Sequence, residues 1–268
     1  MVCRKEIVSF LNELFSEVNI PDFSYNGLQF EGTDEIKKIV AGVDATVQFF
    51  DEAKKRGGDF AFVHHGLFWK GGEWSRLDRY NIKIFKSLLN ANLNLFAMHL
   101  PLDAHPEVGN NAIIAKLLKA EKVAPFGMCK GNESNGIQGY RVPKKYFDYK
   151  ECLWLKKRKE ILKSRIEKNV AKINTHLDFG KKMIQTVGIV SGGGWNSITD
   201  PAVYRGDVDV IFTGEIQHQG VTQYRDREIH LISAGHYATE TFGADAVGKL
   251  IAKNFNLPYE FIDLPTGL

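Results

Sequence analysis

Five residues of the kinds that hold metal ions, His64, His65, Asp103, His236 and Glu240, stand in three short motifs along this chain. The motifs read Phe-Val-His-His-Gly, His-Leu-Pro-Leu-Asp and Gly-His-Tyr-Ala-Thr-Glu, and each follows a short apolar run of buried-strand character. Three imidazoles and two carboxylates suit one or two borderline divalent cations. The three cysteines, Cys3, Cys129 and Cys152, have no paired spacing and are too few for an iron–sulfur or structural zinc site. The chemistry to expect is that of a metal centre.

Each residue also has a plainer reading. Neighbouring side chains of a strand point to opposite faces, so His64 and His65 reach one site only if the strand ends there, and Gly66 offers the break. On its own the pair would more often be structural or incidental. Pro101 takes the chain out of the sheet, which puts Asp103 in a connecting loop, as a ligand or as a turn or N-cap residue. His99 is a partner that orients a ligand, a proton donor or a core histidine. His236 and Glu240 share one face of a helix over 237–253 at a spacing that chelates, or else cap that helix. Ala238, Phe242, Ala246 and Leu250 would pack its other side. Glu215 is a general base, a substrate contact or a strand-end carboxylate. Ser191-Gly192-Gly193-Gly194 lacks a nucleophile elbow, a Walker lysine and a dinucleotide fingerprint, leaving only a weak anion-loop candidate.

The elements that position these residues read as strands at 36–44, 59–65, 92–99, 186–194, 208–215 and 229–236. Helical patterns lie at 47–56, 82–90, 111–118 and 219–227, after an amphipathic opening helix at 3–18. Such alternation predicts α/β architecture with largely parallel sheets. Ligands in these folds bind outside the carboxyl ends of the strands, where the polar residues here are bunched. Asp44 to His65, Gly194 to Glu215 and Glu215 to His236 are each about 21 residues apart, which suggests two similar lobes. The reading is therefore a pseudo-duplicated fold, two three-layer α/β lobes with mixed sheets. Residues 1–126 with 237–268 form the first lobe and 127–236 the second, with a loop at 127–139 as the junction.

Bulk properties narrow the classes. With 44% hydrophobic and 25% charged residues the chain has an ordinary globular composition. A formal charge of +3 does not by itself imply nucleic acid. The segment 143–172, with Lys156, Lys157, Arg158, Lys159 and Trp154, is a solvated helix or a weak nucleic-acid surface. The N-terminal residues read as neither signal nor transit sequence, no apolar stretch is long enough to cross a bilayer, and the cysteine usage fits a reducing cytoplasm.

These residues resemble a known family. Asn26-Gly27-Leu28-Gln29, His64 to Gly71, His99 to Asp103, Gly109-Asn110-Asn111, Thr213-Gly214-Glu215 and Gly235 to Glu240 are similar to the motifs of the Nif-three-like dinuclear-metal-centre family. Its members often carry the label GTP cyclohydrolase 1 type 2 homologue. The resemblance spans nearly the whole chain, and without a long inserted domain it is to the short form. It implies two similar α/β lobes, the first completed by the C-terminal helix, with the metals between them. It also implies a toroidal homohexamer, a trimer of dimers. By resemblance the ligands are His64, His65, Asp103, His236 and Glu240, holding two divalent cations (zinc, iron or manganese) per subunit. Glu215 or His99 is then the proton carrier. The function to expect is a metal-dependent hydrolase of a small-molecule substrate. The alternative is a non-catalytic, metal-binding hexameric regulator or scaffold.

Overall fold

Short runs such as Phe60-Ala61-Phe62-Val63 and Leu95-Phe96-Ala97 are apolar at every position, the mark of strands covered on both faces. The computed structural model describes residues 2–72, 77–118, 120–128, 136–141, 147–148, 175–180 and 183–267. It has two units, Met1–Gly109 with Gly243–Leu264, and Asn110–Phe242 with Pro265–Leu268. The sequence reading put these divisions after residues 126 and 236. The basic segment 143–172 lies outside the described residues except at 147–148.

In the first unit, α1 (Arg4–Leu14) buries Ile7 and Leu11. Strands of the main sheet follow as β1 (Gly27–Phe30), β2 (Ile39–Asp44), β3 (Phe60–His65) and β4 (Asn94–Ala97). The sheet runs Tyr259–Phe261, β2, β3, β4, β1, with all neighbours parallel except β1 against β4. Ala61, Val63, Leu95 and Ala97 pack with Phe49, Phe50 and Leu88 from the two helices α2 (Val47–Lys55) and α3 (Arg79–Ala91). On the opposite face Phe60, Phe62 and Phe96 stack at 6.0–6.3 Å, and Phe15 stacks on Phe62. Thr46 and Asp78 cap the two helices by accepting backbone N–H bonds, and Asn92 ends α3 in the left-handed region at φ 49°.

The strand has already ended at Ala97, before Pro101 is reached, and the chain enters a short helix, α4 (Leu100–Ala104), and not the expected loop. A proline ring presets φ for a first helical turn, where its missing N–H costs nothing. Asp103 consequently sits on that turn, buried.

The second unit begins with α5 (Asn110–Leu117). Its sheet contains β5 (Glu121–Met128), β6 (Gly136–Arg141), β7 (Thr175–Leu177), β8 (Thr186–Val190), β9 (Val210–Thr213) and β10 (His230–Ser233). The order is β7, β10, β9, β8, β6, β5, with β8, β9 and β10 parallel and the outer pairings antiparallel. β5 and β6 take up 127–128 and 136–139 of the stretch 127–139 that the sequence reading took for a loop, and 129–135 lie outside the described residues. α6 (His218–Asp226) follows β9, and α7 (His236–Phe255) follows β10 and crosses the division between the units. Its buried residues include Ala238, Ala244, Val247 and Ile251, whereas Phe242, Ala246 and Leu250 are half-buried.

The two units repeat one local device. Asp59, just before β3, accepts the backbone N–H groups of Lys37 and Lys38 at 2.8 and 3.0 Å. Asp209, just before β9, accepts those of Gln185 and Thr186 at 2.8 and 3.0 Å. Each aspartate thus ties the start of one parallel strand to the next.

Candidate metal centre

In the first unit the site is built where β3 stops. A Cβ on Gly66 would lie 2.5 Å from the Ala97 Cβ and run into the Gln29 amide, so the chain turns there only because the residue is glycine. Gln29 Oε1 then accepts the N–H groups of Leu67 and Phe68, and Trp69 donates its indole N–H to the Gly66 carbonyl. With the strand ended, His64 and His65 come together with His99, each offering a ring nitrogen within 4.8 Å of the others.

The Nδ1 atoms of these three rings are engaged. His64 Nδ1 is 3.1 Å from the Met98 carbonyl, His65 Nδ1 is 2.8 Å from Asp44 Oδ1, and His99 Nδ1 is 2.9 Å from Asp22 Oδ1. Carbonyl and ionised carboxylate oxygens only accept, so each Nδ1 carries the proton and Nε2 is the nitrogen able to coordinate. His64 Nε2 lies 3.6 Å from Asp103 Oδ2, and both side chains are buried.

Asp22 is the residue most closely fitted here. Its Oδ1 accepts from the Ser24 N–H and His99, and its Oδ2 from Asn26 Nδ2 and the Leu100 N–H. Burial pushes its carboxyl up, but the bonds to His99, Asn26 and Ser24 outweigh burial and hold it far below the usual carboxylate range. Asn26 Oδ1 in turn accepts the His99 N–H at 2.8 Å. Trp69 meets the His99 ring edge-on at 4.9 Å.

The second unit gathers His236, Glu240 and Glu215. His236 and Glu240 are one helical turn apart on α7, with His236 Nε2 3.2 Å from Glu240 Oε1. Glu215, just past β9, reaches His236 Nδ1 with Oε2 at 2.8 Å. Glu240 is buried, and Gly192 makes its room: φ is +61°, and a Cβ there would run into the Glu240 carboxylate. The glycine turn thus serves packing. Thr239 Oγ1 accepts the Gly192 N–H, and Thr213 Oγ1 accepts that of Gly194. The bond to Glu240 first, then the Glu240 charge and Glu215, push the His236 imidazole up to about 9 against its burial. Negative charge that retains a proton so firmly also favours a cation.

The structure therefore brings His64, His65, His99 and Asp103 together in one unit and His236, Glu240 and Glu215 in the other. Imidazole and carboxylate donors of this kind fit zinc, iron or manganese. The sequence reading gave no site role to Asp22 or to Asp44, which it noted only as a strand end. Asp22 lies 77 residues from His99, and no local pattern announces such a pairing.

The family model described as Duf34/NIF3 (NGG1p interacting factor 3) matches residues 2–266. A Pyrococcus abyssi protein named a GTP cyclohydrolase 1 type 2 homolog is 38% identical over 265 residues, covering 99% of both chains. An Escherichia coli protein of the same name is 34% identical over 97% of both. The crystal structure of TTHA1606 from Thermus thermophilus superposes with a TM-score of 0.82 at 32% identity, covering 100% of both chains.

Proposed function

This chain belongs to the Duf34/NIF3 family, and on that premise we propose that it is a metal-dependent hydrolase. In this reading it holds two divalent cations through His64, His65, Asp103, His236 and Glu240. The observation that carries it is that Nδ1 of His64, His65 and His236 each faces a carbonyl or carboxylate oxygen, with Nε2 turned toward another proposed ligand in His64 (Asp103) and His236 (Glu240). A structural histidine has no need of that regularity. Asp103 and Glu240 would supply the carboxylate donors of the site. Cations held there would supply Lewis acidity toward a carbonyl or phosphoryl oxygen or a ring nitrogen of a small substrate. His99 moves the proton: Asp22 fixes its Nδ1–H, so Nε2 accepts from the attacking water and donates to the leaving group. Trp69 packs beside His99 and limits its ring to this orientation.

Elemental analysis after reconstitution with zinc, manganese or iron should return about two ions per subunit, as in two-metal sites. A screen of phosphoester, amide and nucleotide substrates should then find turnover. His99→Ala should keep the metals and lower the rate by about 10²–10⁴-fold, the usual contribution of a proton-transfer group. Absence of bound metal refutes the ligand set, and metal-loaded protein without turnover on the whole screen refutes the hydrolase. Family membership also supports a homohexamer, to be read as a mass of about six chains by light scattering, a closed ring being a common assembly.

A further inference from the structure

The pairs Asp44–His65 and Glu215–His236 share a geometry that the ligand set does not require. Both span 21 residues, and both join a carboxylate oxygen to Nδ1 at 2.8 Å. In the first unit Asp44 and His65 are register partners at the ends of adjacent parallel strands β2 and β3. In the second, Glu215 lies just past β9 and His236 just past β10, again adjacent parallel strands. Parallel pairing sets the two strand ends side by side, so a carboxylate on one falls within reach of an imidazole on the next.

We infer that Asp44 and Glu215 are equivalent positioning residues, one in each unit, that fix the Nδ1–H tautomer of their histidine and so present Nε2 for coordination. This rests on the proposed metal function and adds to it. For Glu215 it replaces proton transfer with orientation, leaving His99 as the proton carrier. The contrast with His64 supports the assignment: a main-chain carbonyl holds its Nδ1, and a backbone atom cannot be lost by substitution. Partial exposure of both carboxylates, 31% for Asp44 and 45% for Glu215, means that an amide there leaves the core intact. Rings oriented in this way hold Nε2 in a fixed direction for a cation.

The test is zinc affinity of the full chain, measured by competition with a chelator, for the wild type, Asp44→Asn and Glu215→Gln. An amide can turn either its oxygen or its NH2 group to the ring, so the tautomer is no longer enforced. Each variant should lose about 10–100-fold in affinity, the typical effect of removing such a partner, with an unchanged thermal midpoint in the absence of metal. In the zinc-loaded wild type, nitrogen-detected NMR should show His65 and His236 protonated at Nδ1 and coordinated through Nε2. The amide variants should shift the proton signal of only their own histidine. Wild-type affinity in both variants overturns the positioning role, as does coordination through Nδ1. A wild type that binds no zinc overturns instead the metal function on which the inference rests.

Discussion

The two clusters hold the same kinds of side chain by different means. In the first unit the three histidines are placed by contacts between distant parts of the chain: the Met98 carbonyl on His64, Asp44 on His65, and Asn26 and Asp22 on His99. In the second, one helical turn sets His236 against Glu240, Gly192 keeps room for the pair, and Glu215 adds a partner from outside the helix. The first is a network that specifies positions, and the second is a local spacing protected from intrusion. Damage should accordingly take different forms, as lost partners in the first and added atoms in the second.

The largest effect should come from a ligand of the first cluster. His64→Ala or Asp103→Ala should abolish metal binding, read by elemental analysis, because each removes a buried donor of the proposed set. Full retention of both ions would show that the first cluster is not a ligand set.

Gly192→Ala tests the second. The left-handed backbone alone costs about 1–2 kcal/mol for a residue with a Cβ, and the added methyl group displaces the Glu240 carboxylate. A lower thermal midpoint together with weakened metal binding is expected. A variant as stable and as well loaded as the wild type would remove the space-keeping role. Pairing His236→Ala with Glu240→Ala should give far less than additive loss of affinity, since both serve one centre.

The pH dependence should sharpen the difference further. His236 is raised from 6.5 to about 9, so over that interval a proton competes with the cation for Nε2. Metal affinity should rise with pH by up to about tenfold per unit and level off above about 9. The stabilisation of the metal-free fold has the opposite sign, being complete below 6.5 and lost as pH rises through about 9. Chelator competition from pH 6 to 10, with thermal melts alongside, reads both; an affinity independent of pH would contradict it.

The smallest effect concerns what the units share. Asp59→Ala and Asp209→Ala should each cost roughly 1–3 kcal/mol in unfolding free energy, the value of a few charge-assisted hydrogen bonds, and neither should change metal content. Markedly unequal losses would break the equivalence of the two units.

The parallel strands and their polar ends were readable because unbroken apolar runs such as Phe60 to Val63 admit little else. The pairing of β5 with β6 was not. Pro125, Gly127, Gly136 and Gly139 are turn formers by composition, and only the ladder with a neighbouring strand overrides that preference. Gly27–Phe30 is half-buried throughout and shows no alternation to detect. The five proposed ligands could be named from residue type and motif alone. Their orienting partners could not, because a carboxylate 21 or 77 residues away is brought to its histidine by the tertiary fold, through strand pairing for Asp44 and a loop contact for Asp22.

One feature of the sheet bears on how the chain is made. The strand Tyr259–Phe261 pairs with β2, although some two hundred residues separate them. During synthesis at about 5–20 residues per second, β2 emerges many seconds before its partner, with one edge of the first sheet exposed meanwhile. Residues 110–242 of the second unit have then already been made, so the first sheet is completed late. The nascent chain in that interval offers an open strand edge to chaperones and to other copies of itself.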